Sequence, residues 1–316
     1  MNGTGAGEAP RVLELVVSRE TEPVPTPDDT PIARAAATAA QVLTGMVGDL
    51  PRPPRTRVLT VANQKGGVGK TTTTVNVAAA LALSGLRVMV LDLDPQGNAS
   101  TALGIPHQAG TPSVYEVLVE GAPLASVVQE VPGIPGLLAA PATIDLAGAE
   151  IELVSLVARE SRLVRALDAY RAASEPVDYV LIDCPPSLGL LTVNAMVAAE
   201  EVFIPIQCEY YALEGLGQLV RNVDLVKAHL NPRLHISTIL LTMYDARTRL
   251  AAQVADEVRS HFGDRVLKTL IPRSVRVSEA PSYSQTVMTY DPGSTGALSY
   301  LEAARELARQ EEPYGQ

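Results

Sequence analysis

The sequence is poor in several residue types on which small or specialised proteins depend. It contains no tryptophan, two phenylalanines and two cysteines among 316 residues. Cys184 and Cys208 cannot form a disulfide framework, and the four scattered histidines show no metal-ligand spacing. No apolar run reaches the about 18 residues that a membrane-spanning helix needs. We therefore expect a cytoplasmic protein with an aliphatic core and no membrane partner.

Positive charge is also scarce over the chain as a whole. Lys and Arg number 25 against 35 Asp and Glu, for a formal net charge of −10. This balance excludes a uniformly basic nucleic-acid-binding surface but leaves room for a local patch. Residues 221–276 carry ten basic against five acidic side chains, a net of +5. On charge alone, a DNA-binding surface and an ordinary solvated face are equally good interpretations.

The first 56 residues differ from the rest of the chain. They are rich in proline and alanine, and residues 1–30 carry six acidic side chains against two arginines. Such a stretch cannot bury enough apolar surface to fold. Apolar residues at helical spacing over residues 32–47 predict either a short docking helix or a marginal, mostly frayed one. We predict a largely disordered extension over residues 1–56 and one folded domain over residues 57–312.

Strands alternate regularly with helices from Arg57 onwards. The pattern predicts strands over residues 58–62, 88–93, 179–183, 202–206, 236–243 and 266–271. It predicts helices over residues 70–84, 145–172, 213–230, 250–262 and 297–309. The strands are continuous apolar runs, so both of their faces should be buried. We therefore predict an α/β fold with a mostly parallel central sheet and helices on both faces.

A glycine-rich loop, NQKGGVGKTT over residues 63–72, follows the first strand and opens the first helix. Its glycines allow backbone N–H groups to point at phosphate oxygens, and the helix N-terminus adds partial positive charge. In such loops the lysine at position 70 bridges the β- and γ-phosphates, and the threonine at position 71 binds Mg²⁺. Gln64 replaces the first glycine of the strict motif, and Lys65 adds a second lysine. The predicted ATP contacts are Lys65, Gly66, Gly67, Val68, Gly69, Lys70, Thr71 and Thr72.

Two of the buried strands lead into aspartates. Asp94 closely follows the second strand, and Asp183 ends the third. Because the carboxyl ends of parallel strands face the ligand crevice, we expect both carboxylates near the phosphates. Asp183 has the position of a Walker B aspartate that holds Mg²⁺ through water, whereas Asp92 is interpreted as structural. Cys184 is interpreted as a buried structural residue, since no general base is visible near it.

The two-lysine loop is similar to the variant phosphate loop of the ParA/MinD ATPases. Further stretches resemble Soj-type ParA proteins, and together they span about residues 58–310. They are PATIDLAGAEIELV, CPPSLGLLTVN, PIQCEYYALEG and IPRSVRVSEAPS. The resemblance implies a P-loop NTPase fold, Mg²⁺-dependent ATP hydrolysis and an ATP-bound sandwich homodimer. It assigns Lys65 to the partner's ATP and Asp94 to the attacking water and to Mg²⁺.

The same resemblance implies two macromolecular partners. In Soj-type proteins the arginines that match Arg247 and Arg276 bind double-stranded DNA nonspecifically, and a ParB-type protein stimulates hydrolysis. With Arg273 from the same basic stretch, we predict three arginines that contact DNA phosphates rather than bases. Pro272 and Ser274 are predicted adenine contacts through backbone atoms, although the family often has Asn at the position of Ser274. A nucleoid-associated ATPase for chromosome or plasmid partitioning is the resulting prediction.

Two other ATPase classes remain as alternatives. A MinD-like positioning ATPase would need a basic amphipathic membrane helix at its C-terminus, whereas residues 302–316 are acidic and end in turn formers. A relative of the nitrogenase iron protein would need cysteines placed to hold an iron–sulfur cluster. Cys184 is poorly placed for that, since it adjoins the Walker B aspartate. The MinD-like reading is the stronger of these alternatives.

Overall fold

The computed structural model describes residues 48–209 and 212–310, together with the isolated positions Met1 and Ala40. The helix predicted over residues 32–47 therefore lies, but for Ala40, outside the described residues. The same holds for the end of the acidic C-terminal stretch, residues 311–316. The part of the extension that is described packs against the domain. Leu50 is buried, and its N–H donates to the Ser84 carbonyl over 3.1 Å.

The described residues form one eight-stranded sheet. Its strands are β1 Arg57–Val61, β2 Val88–Asp92, β3 Gln129–Glu130, β4 Leu137–Ala140, β5 Tyr179–Asp183, β6 Glu201–Gln207, β7 His235–Tyr244 and β8 Val266–Pro272. The spatial order is β3-β4-β2-β5-β1-β6-β7-β8. Every neighbouring pair is parallel except β3 with β4. The predicted mostly parallel sheet is thereby confirmed.

Helices cover both faces of this sheet. They are α1 Lys70–Leu83, α2 Asn98–Ala102, α3 Leu146–Val154, α4 Arg162–Ala173, α5 Leu190–Ala198, α6 Ala212–His229, α7 Arg249–Phe262, α8 Val275–Glu279, α9 Val287–Tyr290 and α10 Thr295–Arg309. Two apolar clusters fill the two sides. One joins the sheet to α1 and α10 through side chains such as Leu81 and Leu301. The other joins it to α4 and α5 through side chains such as Leu167 and Leu191.

The predicted elements need correction in three respects. Four helices, α2, α5, α8 and α9, have no predicted counterpart. The pattern predicts no strand between residues 93 and 179, yet β3 and β4 lie there. Their sequences of two and four residues are too short to show a strand pattern. The helix predicted over residues 145–172 is two helices, α3 and α4, separated by residues 155–161. Ala158 adopts φ 54° in this connection, a left-handed conformation that interrupts a helix.

The strand order brings the motif residues to one edge of the sheet. β5 lies between β1 and β2, with Asp183 opposite Asp92 on one side and opposite Val61 on the other. The glycine-rich loop begins directly after β1, so the loop and both carboxylates meet at the carboxyl edge. At the opposite edge, Arg57 donates to both carboxylate oxygens of buried Glu201, over 2.7 and 2.6 Å. That ion pair ties the start of β1 to its neighbour β6.

Candidate nucleotide site and arginine surface

The glycine-rich loop surrounds open space at the N-terminus of α1. Gly67 and Gly69 have φ values of 73° and 88°, which residues with side chains rarely adopt. A Cβ built on Gly66 or Gly67 would meet no atom within 4 Å. No side chain caps the first turn of α1, so its N–H groups are available to an anion. The loop therefore has the shape and the donors of a phosphate cradle.

Side chains outside the motif hold this loop in place. The Asn63 amide donates to the Pro205 carbonyl over 2.8 Å, and its oxygen accepts from the Lys65 N–H over 3.1 Å. The Thr242 hydroxyl on β7 donates to the Val68 carbonyl over 2.8 Å. The loop is thus fastened to β6 and β7. Nothing in the spacing of the motif indicated Thr242, because this contact depends on the sheet order.

Lys70 begins α1 and extends into the cradle. Its side chain is buried, and its Nζ donates to the Lys65 carbonyl over 3.3 Å. Burial lowers the pKa of Lys70, while the nearby carboxylates of Asp183 and Asp94 oppose that shift. One cation and two carboxylates therefore converge on the loop, as a site for a phosphate–metal complex requires.

Asp183 has a buried oxygen with no hydrogen-bond partner. Its Oδ1 accepts from the Thr74 hydroxyl over 3.0 Å, but Oδ2 makes no hydrogen bond to any described residue. Burial, followed by the neighbouring charge of Asp92, raises the pKa of Asp183 to about 8, while the nearby hydroxyls of Thr71 and Thr74 oppose that shift. A cation would favour the ionised form of this carboxylate. The free oxygen beside Thr71 therefore fits Mg²⁺ bound directly or through water.

Protein side chains alone do not complete a metal site here. Among the residues that the structure describes, no three or more His, Cys, Asp or Glu side chains form a group that could hold a metal. Mg²⁺ in nucleotide sites usually takes one or two protein ligands and completes its shell with phosphate oxygens and water. The sparse ligand set of Thr71, Asp183 and nearby Asp94 is consistent with that chemistry.

Asp92 and Asp94 have different surroundings although they are two residues apart. The Asp92 carboxylate accepts from the N–H and the hydroxyl of Ser100 over 2.9 and 2.7 Å, and from the Asp94 N–H over 3.1 Å. Burial raises the pKa of Asp92 to about 6. Asp94 accepts from the Gln96 N–H over 3.0 Å. Asp92 thus shapes the turn into α2, in line with a structural role, and the turn places Asp94 at the site.

Lys65 is bound within its own chain. Its Nζ lies 2.8 Å from Glu209 Oε2, and Glu209 Oε1 accepts from the Gln207 amide over 2.5 Å. Both charged side chains are partly exposed. Glu209 was not predicted as a site residue, although it belongs to the PIQCEYYALEG stretch that carried the family resemblance. The pairing joins residues 144 positions apart, which no local pattern reveals.

The two cysteines are buried, and burial raises the pKa of both thiols. The Cys184 thiol lies 3.8 Å from the Ile182 carbonyl. A thiol with a raised pKa is a poor nucleophile and a poor metal ligand at neutral pH. The surroundings of Cys184 therefore agree with a structural role.

The predicted adenine contacts lie at the carboxyl end of β8. Pro272 is the last residue of that strand, and Ser274 precedes α8. β8 is three strands from β1 on the same edge of the sheet. The structure therefore places both residues on the nucleotide side of the molecule.

The three predicted DNA-binding arginines also lie at this edge, where β7 and β8 end. We call Arg247, Arg273 and Arg276 the arginine surface. Arg247 contacts Asp245 through Nε and Nη2, over 2.9 and 2.8 Å. Arg276 lies 3.2 Å from Glu279 and 3.3 Å from Asp291. Arg273 is exposed. Two of the three arginines are therefore already paired with carboxylates.

Comparison with known proteins gives a consistent family. A family model described as an AAA domain matches residues 56–236. The sporulation initiation inhibitor protein Soj of Bacillus subtilis is 53% identical over 80% of this chain and 98% of its own length. The chromosome partitioning protein ParA of Caulobacter vibrioides is 54% identical over 81% of this chain and 95% of its own length.

Solved structures agree on the fold and the nucleotide. The structure of cobyrinic acid a,c-diamide synthase from Mycobacterium smegmatis with bound ADP and magnesium has a TM-score of 0.69 and 40% identity. The matched region covers 80% of this chain and 94% of the synthase chain. A second structure of that protein holds an ATP analogue and magnesium. These comparisons support ATP and Mg²⁺ as the cofactors. This chain belongs to the Soj/ParA family of chromosome-partitioning P-loop ATPases.

Proposed function

We propose that this protein is a DNA-partitioning switch. Its ATP-bound homodimer binds double-stranded DNA nonspecifically, and Mg²⁺-dependent hydrolysis, stimulated by a ParB-type partner, releases it. The observation that carries the proposal is the pair of lysines on one phosphate loop. Lys70 is buried in the cradle, whereas Lys65 is partly exposed at the rim, where it forms an exposed ion pair with Glu209. Lys70 is placed to bind the nucleotide of its own chain, and Lys65 is able to leave Glu209 for the nucleotide of a second chain.

The proposed roles follow the placement of each residue. Lys70 binds the β- and γ-phosphates, together with the N–H groups of residues 66–72. Thr71, Asp183 and Asp94 hold Mg²⁺, which shields phosphate charge when bound. Asp94 also orients the attacking water, since it is close to both Lys70 and Asp183. The backbone at Pro272 and Ser274 contacts adenine.

The partner lysine has an electrostatic reason. Two ATP molecules that face each other across a dimer carry several negative charges at close range, and one cation from each side offsets that repulsion. The Lys65–Glu209 pair has side chains 37% and 47% exposed. Pairs in such settings are worth about 0–1 kcal/mol, so little opposes the exchange of Glu209 for a partner's phosphate.

The relatives favour partitioning over the alternatives. Proteins 53 and 54% identical to this chain are named for sporulation control and chromosome partitioning. The Mycobacterium smegmatis synthase is less similar, at 40%, and supports nucleotide binding more than its named reaction. Within the described ranges, no helix is long and apolar enough to cross a bilayer. We further propose that residues 57–312 form the ATPase unit and that the protein is cytoplasmic and associates with the nucleoid.

DNA binding under three nucleotide conditions tests the proposal. Purified protein is titrated into fluorescent duplexes of unrelated sequence with ATP–Mg²⁺, with ADP–Mg²⁺ and without nucleotide, while light scattering reports its mass. We expect dimers and DNA binding with ATP alone, at equal affinity for every sequence. Liposomes of anionic lipid form a parallel arm. ATP-dependent binding to liposomes without binding to DNA would contradict partitioning and support the MinD-like alternative.

A further inference from the structure

Arg247 folds back onto its own turn and pairs with a carboxylate there. Its Nε and Nη2 donate to the two oxygens of Asp245, two residues earlier. The Arg247 backbone N–H also donates to Asp245 Oδ1, over 3.0 Å. The arginine side chain is 88% exposed and the aspartate side chain only 28%. Asp245 is therefore the anchored member of the pair, and the guanidinium is the member able to move.

The rest of the arginine surface shows the same compensation. Hydrogen bonds from Arg247 are the main cause that lowers the pKa of Asp245 to about 2, and the nearby charge of Arg273 also contributes. One carboxylate thus faces two arginines. Arg276 forms ion pairs with two carboxylates, Glu279 and Asp291, so its positive charge is fully compensated. The field that this surface presents is weaker than its arginine content suggests.

The edge of Arg247 that Asp245 occupies is one that would bind a phosphate. A guanidinium presents pairs of parallel N–H groups, and carboxylates and phosphates bind the same pairs. The Nε–Nη2 pair of Arg247 is already filled. A DNA phosphate must therefore displace Asp245, or else accept hydrogen bonds from the remaining N–H groups of an arginine whose charge Asp245 already balances. Either way, binding is weaker than at a free arginine.

We propose that Asp245 is an intramolecular competitor of DNA phosphate that keeps the affinity of the arginine surface low. This inference rests on the proposed function, since it requires that surface to bind DNA. A low affinity per protomer makes DNA binding depend on two surfaces acting together. A single protomer then leaves DNA largely unbound, whereas the two surfaces of the ATP-dependent dimer bind it together by avidity.

The test compares charge-neutral replacements of Asp245 with a matched control. Asp245→Asn removes the charge and keeps an oxygen for the Arg247 N–H, and Asp245→Ser is a second variant that suits the same turn. Asp168→Asn is the matched control, because it also removes the acidic member of an ion pair, here with Arg171 on α4. Helix α4 packs against α5. Binding to fluorescent duplex DNA is measured with a nonhydrolysable ATP analogue and Mg²⁺ over a series of salt concentrations.

Both Asp245 variants should raise DNA affinity by about threefold to tenfold, as expected for release of an exposed ion pair in each protomer of a dimer. The slope of log affinity against log salt should steepen by about 0.9 for each arginine that newly engages a phosphate. Asp168→Asn should change affinity by less than about twofold. ATP affinity and basal hydrolysis should stay at the level of the parent protein in all three variants.

The outcomes separate the inference from the proposed function. If Arg247→Glu weakens DNA binding but Asp245→Asn and Asp245→Ser leave it unchanged or weaken it, Asp245 orients the arginine and the competitor role is wrong. If Arg247→Glu and both Asp245 variants all bind DNA like the parent protein, this surface does not bind DNA and the inference fails, whereas partitioning would then use another surface. The proposed function itself fails if the parent protein does not bind DNA with ATP. An equal gain in Asp168→Asn would attribute the effect to net charge and overturn the inference.

Discussion

The phosphate loop and the arginine surface lie along the same edge of the sheet but hold their charges differently. Lys70 and Asp183 are buried, and one oxygen of the Asp183 carboxylate has no hydrogen-bond partner among the described residues. Arg247 and Arg276 are exposed and already paired. Removing one member of a buried charged group leaves the other uncompensated, whereas exposed ion pairs contribute little. Mutations should therefore have large effects at the loop and small ones at the arginines.

The largest effect is expected for Lys70→Ala. This variant removes the buried cation that faces the phosphates, and loss of a buried charged partner costs about 2–5 kcal/mol. ATP affinity should fall by about 10² or more, as measured by calorimetry with ATP–Mg²⁺. Lys268→Ala is the matched control, since Lys268 is an exposed lysine on β8. ATP binding by Lys70→Ala at the affinity of the control would refute the assignment of the cradle.

Asp94→Ala should separate binding from chemistry. Because Asp94 is proposed to orient the attacking water, its loss should lower the rate of hydrolysis by about 10² and preserve ATP binding. Dimers should then accumulate with ATP, as light scattering would show. Asp92→Asn is the comparison: it disturbs the Ser100 contacts and should lower thermal stability more than the rate constant per folded molecule. Hydrolysis by Asp94→Ala at the parent rate would exclude a catalytic role.

A smaller effect is expected at the rim of the cradle. Lys65→Ala should bind ATP with affinity within about threefold of the parent protein, because Lys65 is paired with Glu209 rather than placed in the cradle. ATP-dependent dimerisation should weaken by about tenfold, since the cation for the second nucleotide is lost. Glu209→Gln retains the lysine and serves as the matched control. Equal dimerisation by Lys65→Ala and the parent protein in ultracentrifugation would contradict the cross-dimer role.

The sequence predicted the elements that form the nucleotide edge. Long apolar strands require a buried parallel sheet, and a parallel sheet places the residues that follow its strands at one edge. That reasoning predicts Asp94 and Asp183 beside the loop. It did not predict β4, because a strand of four residues between Gly136 and Pro141 leaves too short a pattern. Nor did it predict the break between α3 and α4.

Ion pairs were the features least accessible from the sequence. Glu209 reaches Lys65 only because β6 is adjacent to β1, and the sheet order is not written in any local spacing. Asp245 is only two residues from Arg247, yet a count of the charges over residues 221–276 treats the two as independent. Their pairing depends on the end of β7, where Met243 adopts φ 50°, and on the turn that follows it. Net charge therefore overstated the positive field of the arginine surface.

The smallest effect is expected for Arg276→Glu, and it sharpens the comparison within the arginine surface itself. Arg276 is paired with two carboxylates, Glu279 and Asp291, whereas Arg247 is paired with one, Asp245, among the residues that the structure describes. Arg276→Glu should weaken DNA binding for every sequence by about threefold, less than Arg247→Glu, and flatten the salt slope by at most about 0.9 per protomer. Both variants should retain ATP binding and dimerisation. Filter binding over a salt series measures both slopes, and a larger loss for Arg276→Glu would show that its two carboxylates do not reduce its contact with DNA.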